Sequence, residues 1–529
     1  MKALCVRRAA YLLLSACLLL WIIPASAGNV RNSPFVIHEV KHAVSQPLSE
    51  IVKTVPPPQF HGWIVRKEHG SSNKVTKIFN EPDTVAQDES EYLPPLAITI
   101  GLNKDGVDGA NAGGVIPPDT NGSVGSSQFV LITNFAYQVF NKATGKSQLG
   151  PVLINAIWKG FGGQCENSNG GDPVVLWDKM ANRWLVEQLE YFSSDQVCIA
   201  VSTTDDATGK YNLYAFNFSG LPDYPKLGVW PDGYYLAVNY FGSGFAQGEP
   251  CALDRTAMLA GKTATMICFP PSSTDAGYLP SDFDGTTAPP SGAPNHYVEL
   301  GNSNTTLKEY DFHVDFVHPK KSTFKGPHTI SVPAYTQLCG GGGGACIPEP
   351  NGGGTLDALG DRLMFRNAYR NFGDHESMLF SHSVAPKKGS TAVSAMRWYE
   401  LRSTPSGGSF SVYQAGTFQN KKDNYWMGSL AMDKSGDIAM GFSVDNSTNL
   451  DPSIWVTGRL PTDPKGKMGA PMVFHKGTTV QGGINRWGDY SSMSVDPSDD
   501  CTLWYSQEYS DGGANWQSHF TSFKFNGCN

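Results

Sequence analysis

The side chains best equipped for chemistry are acids and arginines that recur at wide intervals. Asp119, Asp172, Asp232, Asp361 and Asp489 each sit among turn-forming neighbours just ahead of an apolar run, as in Pro117-Pro118-Asp119-Thr120-Asn121-Gly122 and Trp230-Pro231-Asp232-Gly233. Arg362, Arg366, Arg370, Arg486, His375, Glu376, Tyr490 and Glu508 lie in or near the same stretches. Guanidinium forks bind carboxylates bidentately, and a pair of carboxylates, or a Tyr–Glu pair, can act on a glycosidic bond. Brought together, this set would grip an acidic sugar. Kept apart, the acids cap turns that lead into strands and the arginines pair with them. Spacing alone leaves both readings open.

Closely spaced acids on glycine-containing loops suggest a second chemistry. Asp105 with Asp108, Asp282 with Asp284, and Asp433 with Asp437 supply oxygens of the kind calcium takes. Calcium needs about six to eight oxygen ligands. Each cluster offers two acidic side chains, and none completes an EF-hand loop, so turn formation is the competing reading. Other catalytic signatures are absent from the strand-rich residues 96–529: the one His-Glu-x-x-His, His38-Glu39-Val40-Lys41-His42, falls before them, and there is no Gly-x-Ser-x-Gly. The glycine run Gly340–Gly344 falls between Cys339 and Cys346 and reads as a loop closed by a disulfide. Trp230, Tyr234, Trp398, Tyr399, Trp487, Trp504 and Trp516 could stack on sugar rings or pack between strands.

The elements that must position these groups read as strands. From residue 96 onward, short apolar or aromatic runs such as Phe129–Ile132, Tyr234–Val238 and Ile438–Phe442 alternate with Gly, Pro, Asn and Asp clusters. No long segment has helical periodicity and caps. The turn-then-strand feature recurs near 119, 172, 232, 295, 361, 424 and 489, in steps of about 53 to 66 residues. All-β repeats of this length predict a single β-propeller of six or seven four-stranded blades. Blade-start residues would then line a central channel. A two-sheet sandwich is the alternative.

Composition narrows the function classes. With 17% charged residues and a formal net charge of −8, the chain is neither a coiled coil nor a nucleic-acid binder, which would need a basic face. Lys2, Arg7 and Arg8, the apolar run to Ile23, and Ala25-Ser26-Ala27 read as a signal peptide over residues 1–27. That run is too short for a mature membrane span. Residues 28–95, with Pro56-Pro57-Pro58 and Pro94-Pro95, read as an extended N-terminal arm or pro-segment, and residues 96–529 as the propeller. Eight cysteines follow the leader, an even number that suggests disulfides in an exported protein. Their sequence-local pairing is 165–198, 251–268, 339–346 and 501–528, involving Cys165, Cys198, Cys251, Cys268, Cys339, Cys346, Cys501 and Cys528.

Three stretches, Gly360–Arg366 through Asn371–Glu376, Arg486–Ser492 and Trp504–Tyr509, together with Pro117–Gly122, resemble a family of secreted bacterial β-propeller proteins. Tyr509 to Trp516 is similar to the Asp-box of sialidase-like propellers, with Asp511, Gly513 and Trp516 at its spacing but Tyr509 where Ser or Thr is usual. The resemblance implies a fold and no particular activity. The Arg-Ile-Pro motif and the full set of Asp-boxes found in sialidases are missing. The expected protein is a secreted monomer without a transmembrane segment, recognising a glycan or cell-envelope partner at the channel mouth. The alternative is a glycoside-active enzyme using the carboxylates and arginines named above.

Overall fold

The computed structural model describes residues 33–66, 75–241, 246–386, 390–404, 408–512 and 515–529. The leader read over residues 1–27 and Gly513 of the Asp-box lie outside them. Regular structure in the described chain is almost entirely strand, with a few short helical turns. Consecutive segments form seven antiparallel four-stranded meanders, counted among the described residues. Their innermost strands are, in order, Asn121–Val124, Gly171–Asp178, Asp223–Val229, Leu279–Asp284, Met364–Asn371, Asn424–Met432 and Ser492–Val495. Each of these strands packs against the next, and the seventh packs against the first.

Burial follows from this stacking. A sheet covered on both faces needs apolar or satisfied side chains at every position, so alternation gives way to continuous runs. Gln196–Ser202 and Asn424–Met432 are buried throughout. The outermost Ser147–Leu153, with only one covered edge, buries just Leu149 and Val152 and leaves the rest exposed or half-buried. The aromatics considered for sugar stacking are used here: Trp230, Tyr234, Trp398, Tyr399, Trp487, Trp504 and Trp516 are all buried. The fourth and fifth sheets are additionally joined, because Ser281–Asp284 pairs in parallel with Asn367–Arg370.

The N-terminal arm runs along the edges of the sheets. Phe35–His38 adds a strand to the third sheet and Lys41–Val44 one to the second. Ile64–Val65 pairs with Val115–Ile116, and Ala86–Gln87 with the outer strand of the fifth sheet. Ile98–Asp108 then supplies the outer strand of the seventh sheet, whose other three strands come from the C-terminus. Residues 98–108 thus share one sheet with the C-terminal strands.

Two of the repeat markers are corrected. The third innermost strand begins at Asp223, and Asp232 lies in the turn before Tyr234–Tyr240 at its far end. Asn295 opens the second strand of the fourth sheet. Asx-rich turns occur at both ends of a hairpin, so turn chemistry marks a strand end without saying which one.

The four sequence-local cysteine pairs are disulfide-bonded. Cys501–Cys528, 27 residues apart, ties the C-terminal residues to the start of a seventh-sheet strand. Replacing both with serine is expected to lower stability by about 3 kcal/mol through loop entropy. Thermal unfolding under non-reducing conditions measures it.

Candidate functional site

Bulges in the innermost strands shape the axial site. Register breaks fall between Gly171 and Val174, Asp223 and Lys226, Met364 and Ala368, and Trp426 and Ser429. Asp172, Tyr224 and Met427 adopt left-handed backbone within three of them, as does Asp119 just before the first strand. A bulge re-aims side chains out of the alternating pattern, and here it places polar groups from several strands around one axis.

Asp119, Asp172, Arg362, Arg486 and Asp489 line a common cavity, with Arg66 and Asp223 joining them. Asp119 accepts from the Asp489 backbone N–H at 2.7 Å and from Asn134 Nδ2 at 2.5 Å. Arg486 Nη2 donates to Asp489 Oδ1 at 3.0 Å, and its Nη1 bonds Asp357. Arg362 Nε donates to Asp361 Oδ1 at 2.8 Å. Glu508 accepts from the Gly488 N–H, and Tyr490 Oη donates to the Pro173 carbonyl at 3.1 Å. Arg66, from the N-terminal arm, donates to the Gly170 carbonyl and to Tyr191 Oη at 3.2 Å. The remaining cavity is about 20 Å³, room for a water molecule and not for a sugar.

Burial dominates the electrostatics of this cluster. It raises the Asp119 carboxyl well above the usual range, reinforced by Asp489 and Asp172 and opposed by Arg486. Glu187 and Glu508 are raised for the same reason. Lys226 is pushed down to about 8 by burial, against the pull of Asp172. Its Nζ lies 3.4 Å from the Tyr224 ring centroid and 4.0 Å from that of Tyr490, a cation–π arrangement. Arg362 and Arg486, expected to grip a ligand carboxylate, are already engaged by the protein's own acids.

The other expected residues lie elsewhere. Arg366 bridges Asp282 and Asp284, and Lys179 Nζ reaches Asp284 Oδ1 at 2.9 Å. Those two aspartates are neutralised by cations of the protein. Arg370 holds Asp500 with two bonds of 2.6 and 2.8 Å. Asp108 accepts from Asn111, and Asp433 from the backbone of Ser435 and Asp437, both turn contacts. Asp232 accepts from Tyr235 Oη at 3.0 Å. His375 pairs with Asp374 at 2.7 Å and stacks on Phe372.

Glu376 belongs to a larger cavity of about 380 Å³ between the fourth and fifth sheets. His296, Asp311, Ser403 and Phe410 share its lining with the Pro290–Pro294 loop. Tyr369 Oη donates to Glu376 Oε1 at 2.5 Å. His296 Nδ1 lies 2.8 Å from Glu309 and 2.9 Å from Asp311. Burial alone would lower the His296 pKa, but hydrogen bonds to Asp311 and Glu309 outweigh it and carry it to about 10. The cavity wall therefore presents an imidazolium flanked by carboxylates. Sequence reasoning missed Arg66, Glu187, Asp223, Lys226, His296 and Asp357. His296, at the start of His296-Tyr297-Val298, was visible only as a strand neighbour.

No family model and no curated protein matches this sequence. Among solved structures, it is similar to the endo-arabinase from Bacteroides thetaiotaomicron at 15% identity, covering 56% of this chain and 95% of that one, with a TM-score of 0.27. The catalytic domain of Coprinopsis cinerea GH62 α-L-arabinofuranosidase matches at 11% identity over 68% of this chain and 92% of that one, TM-score 0.27. The polysaccharide lyase Uly1 matches at 9% over 92% and 100%, TM-score 0.32. At such scores these likenesses carry no argument about function.

Proposed function

We propose that this chain is a secreted seven-bladed β-propeller that binds a glycan in the cavity between its fourth and fifth blades. Residues 96–529 would form the propeller and residues 28–95 an arm clamped to its rim. Seven consecutive meanders with neighbouring innermost strands support the blade count. Four disulfides support an oxidising destination, and no described helix is long and apolar enough to cross a membrane.

The observation that carries the ligand class is the composition of the 380 Å³ cavity. Its volume suits a small ligand. Glu376 and Asp311 can accept hydroxyl hydrogens, Ser403 can do both, and the Phe410 ring offers an apolar face to C–H groups. The axial cluster, filled and internally paired, serves as the polar hub that sets blade positions. The Tyr369–Glu376 pair favours glycosidic chemistry as a second reading, because such a pair can act on an anomeric carbon.

A glycan array with the full mature protein, followed by product analysis, tests both. Retained, unaltered glycans are expected, with Glu376→Gln weakening them about tenfold, or 1.4 kcal/mol, at unchanged melting temperature. Released sugars would replace binding by catalysis. Glycan binding that ignores Glu376→Gln and Asp311→Asn alike would remove the site from this cavity.

A further inference from the structure

We propose that Asp105, His475 and His519 form a binding site for a late first-row divalent cation, zinc by its donor set, at the seam between the sixth and seventh sheets. The three residues come from three strands: Ile98–Asp108, Met472–His475 and Asn515–Phe525. One ligand atom from each lies within 4.8 Å of the others. Two imidazoles and a carboxylate suit zinc, copper or nickel and not calcium, which takes oxygen ligands. In a tetrahedral zinc site with bonds of about 2.0–2.2 Å, donor atoms stand roughly 3.4 Å apart. Modest side-chain rotation closes that gap.

The surroundings are arranged as ligands require. His519 points one ring nitrogen, Nε2, at the Asn103 side-chain oxygen, and the other, Nδ1, lies 2.7 Å from Asp105 Oδ1. A ligating histidine characteristically donates its second N–H to a carbonyl or carboxylate, which fixes the tautomer. Asn103 fills that role and leaves Nδ1 for the cation. His475 makes no side-chain hydrogen bond among the described residues, although its ring lies 4.5 Å from that of His519, tilted by 36°. Tyr509 Oη reaches Asp105 Oδ1 at 3.3 Å. The Asp105 side chain is 54% exposed and that of His519 only 4%, so the cation would enter past the carboxylate and reach a buried nitrogen.

Of the three other described groupings of this kind, Glu249 with Cys251 and Cys268, and Asp433 with Cys501 and Cys528, contain disulfide sulfurs that are not available as thiolates. The third, His296 with Glu309 and Asp311, has a single imidazole, held between two carboxylates on the wall of the cavity described above. A cation at Asp105, His475 and His519 would pin the N-terminal strand of the seventh sheet to the last strand of the sixth. It would therefore stabilise the seam between these two sheets.

The test is titration of the full mature protein, stripped with EDTA, with zinc chloride by calorimetry and with cobalt(II) by visible absorption. One saturable equivalent, tetrahedral cobalt bands and a zinc-dependent rise in melting temperature are expected. His475→Ala and Asp105→Asn should each weaken zinc binding by at least the roughly 10–100-fold that loss of an outer-shell partner costs and abolish the stabilisation, while retaining the metal-free melting temperature. His519 is too buried to be the first choice. Absence of saturable zinc binding overturns the proposal, as does binding that both variants leave intact. A calcium response equal to that of zinc would overturn the assigned donor chemistry.

Discussion

Arg366→Ala is expected to lower stability by about 3–5 kcal/mol, the range for removing one partner from a buried ion pair. The guanidinium is 3% exposed. Nη1 donates to Asp282 Oδ2 at 2.9 Å, Nη2 bonds Asp284, and Nε donates to the Met493 carbonyl at 2.9 Å. One side chain therefore links innermost strands of the fourth, fifth and seventh sheets. Burial opposes ionisation of Asp284, yet Arg366 and Lys179 hold its carboxyl down at about 2. Asp282 remains raised by burial even with Arg366 beside it. Alanine would leave two buried carboxylates with Lys179 as the nearest cation of the set. Thermal and urea unfolding measure the loss, and adding Asp282→Asn and Asp284→Asn should recover part of it by removing the stranded charges. A cost below about 1 kcal/mol, the level of an exposed pair, would show that the bridge does not hold the strands together.

Stability should fall as pH rises from 5 to 8 and then level off. Burial raises Glu249 to about 7, with Tyr240 opposing, and raises Glu190 to about 7 against hydrogen bonds from Ser168 and Gly170. An acid with a raised folded pKa favours folding while protonated. That advantage is complete below the ordinary glutamate value near 4.5 and is gone above about 7. His296, carried to about 10, stabilises fully below its unfolded value near 6.5 and loses that contribution as pH climbs to 10. Lys226, lowered to about 8, works in the opposite direction: burying it protonated costs stability, and this cost is relieved between pH 8 and 10.5. The acids therefore set the slope up to about 7, His296 continues it from 6.5 to 8, and His296 and Lys226 offset one another above 8. For Glu249, a change from 4.5 to about 7 corresponds to about 3 kcal/mol, an upper bound because local opening admits water. Glu249→Gln should accordingly raise the melting temperature at pH 8 and leave it nearly unchanged at pH 4. Equal effects at both pH values would assign its influence to packing.

The sequence reading placed strands well because strand signals are local. Phe129–Ile132, Tyr234–Val238 and Ile438–Phe442 lie within Gln128–Thr133, Tyr234–Tyr240 and Ile438–Asn446. It misplaced the third and fourth repeat starts, because Asp232 and Asn295 carry the same turn chemistry as true strand entries. Among candidate site residues, Asp119, Asp172, Arg362, Arg486 and Asp489 share the axial cavity, whereas Arg366, Arg370 and Glu376 serve three different places. Residues 362, 366 and 370 look equivalent in a linear pattern. Their separation arises from the register break between Met364 and Ala368, which no periodicity announces.

Residue types and short spacings by themselves determined the all-β character, the turn positions and the four cysteine pairs, since each depends on neighbours close along the chain. Tertiary structure alone decided which charges meet. Arg66 reaches Gly170, Arg486 reaches Asp357, and Asp105 reaches His519 across long stretches of sequence. Those encounters depend on bulges, sheet stacking and the sharing of one sheet by residues 98–108 and the C-terminal strands. Their energy comes from desolvated charge and packing between distant strands, and neither is encoded in any local window.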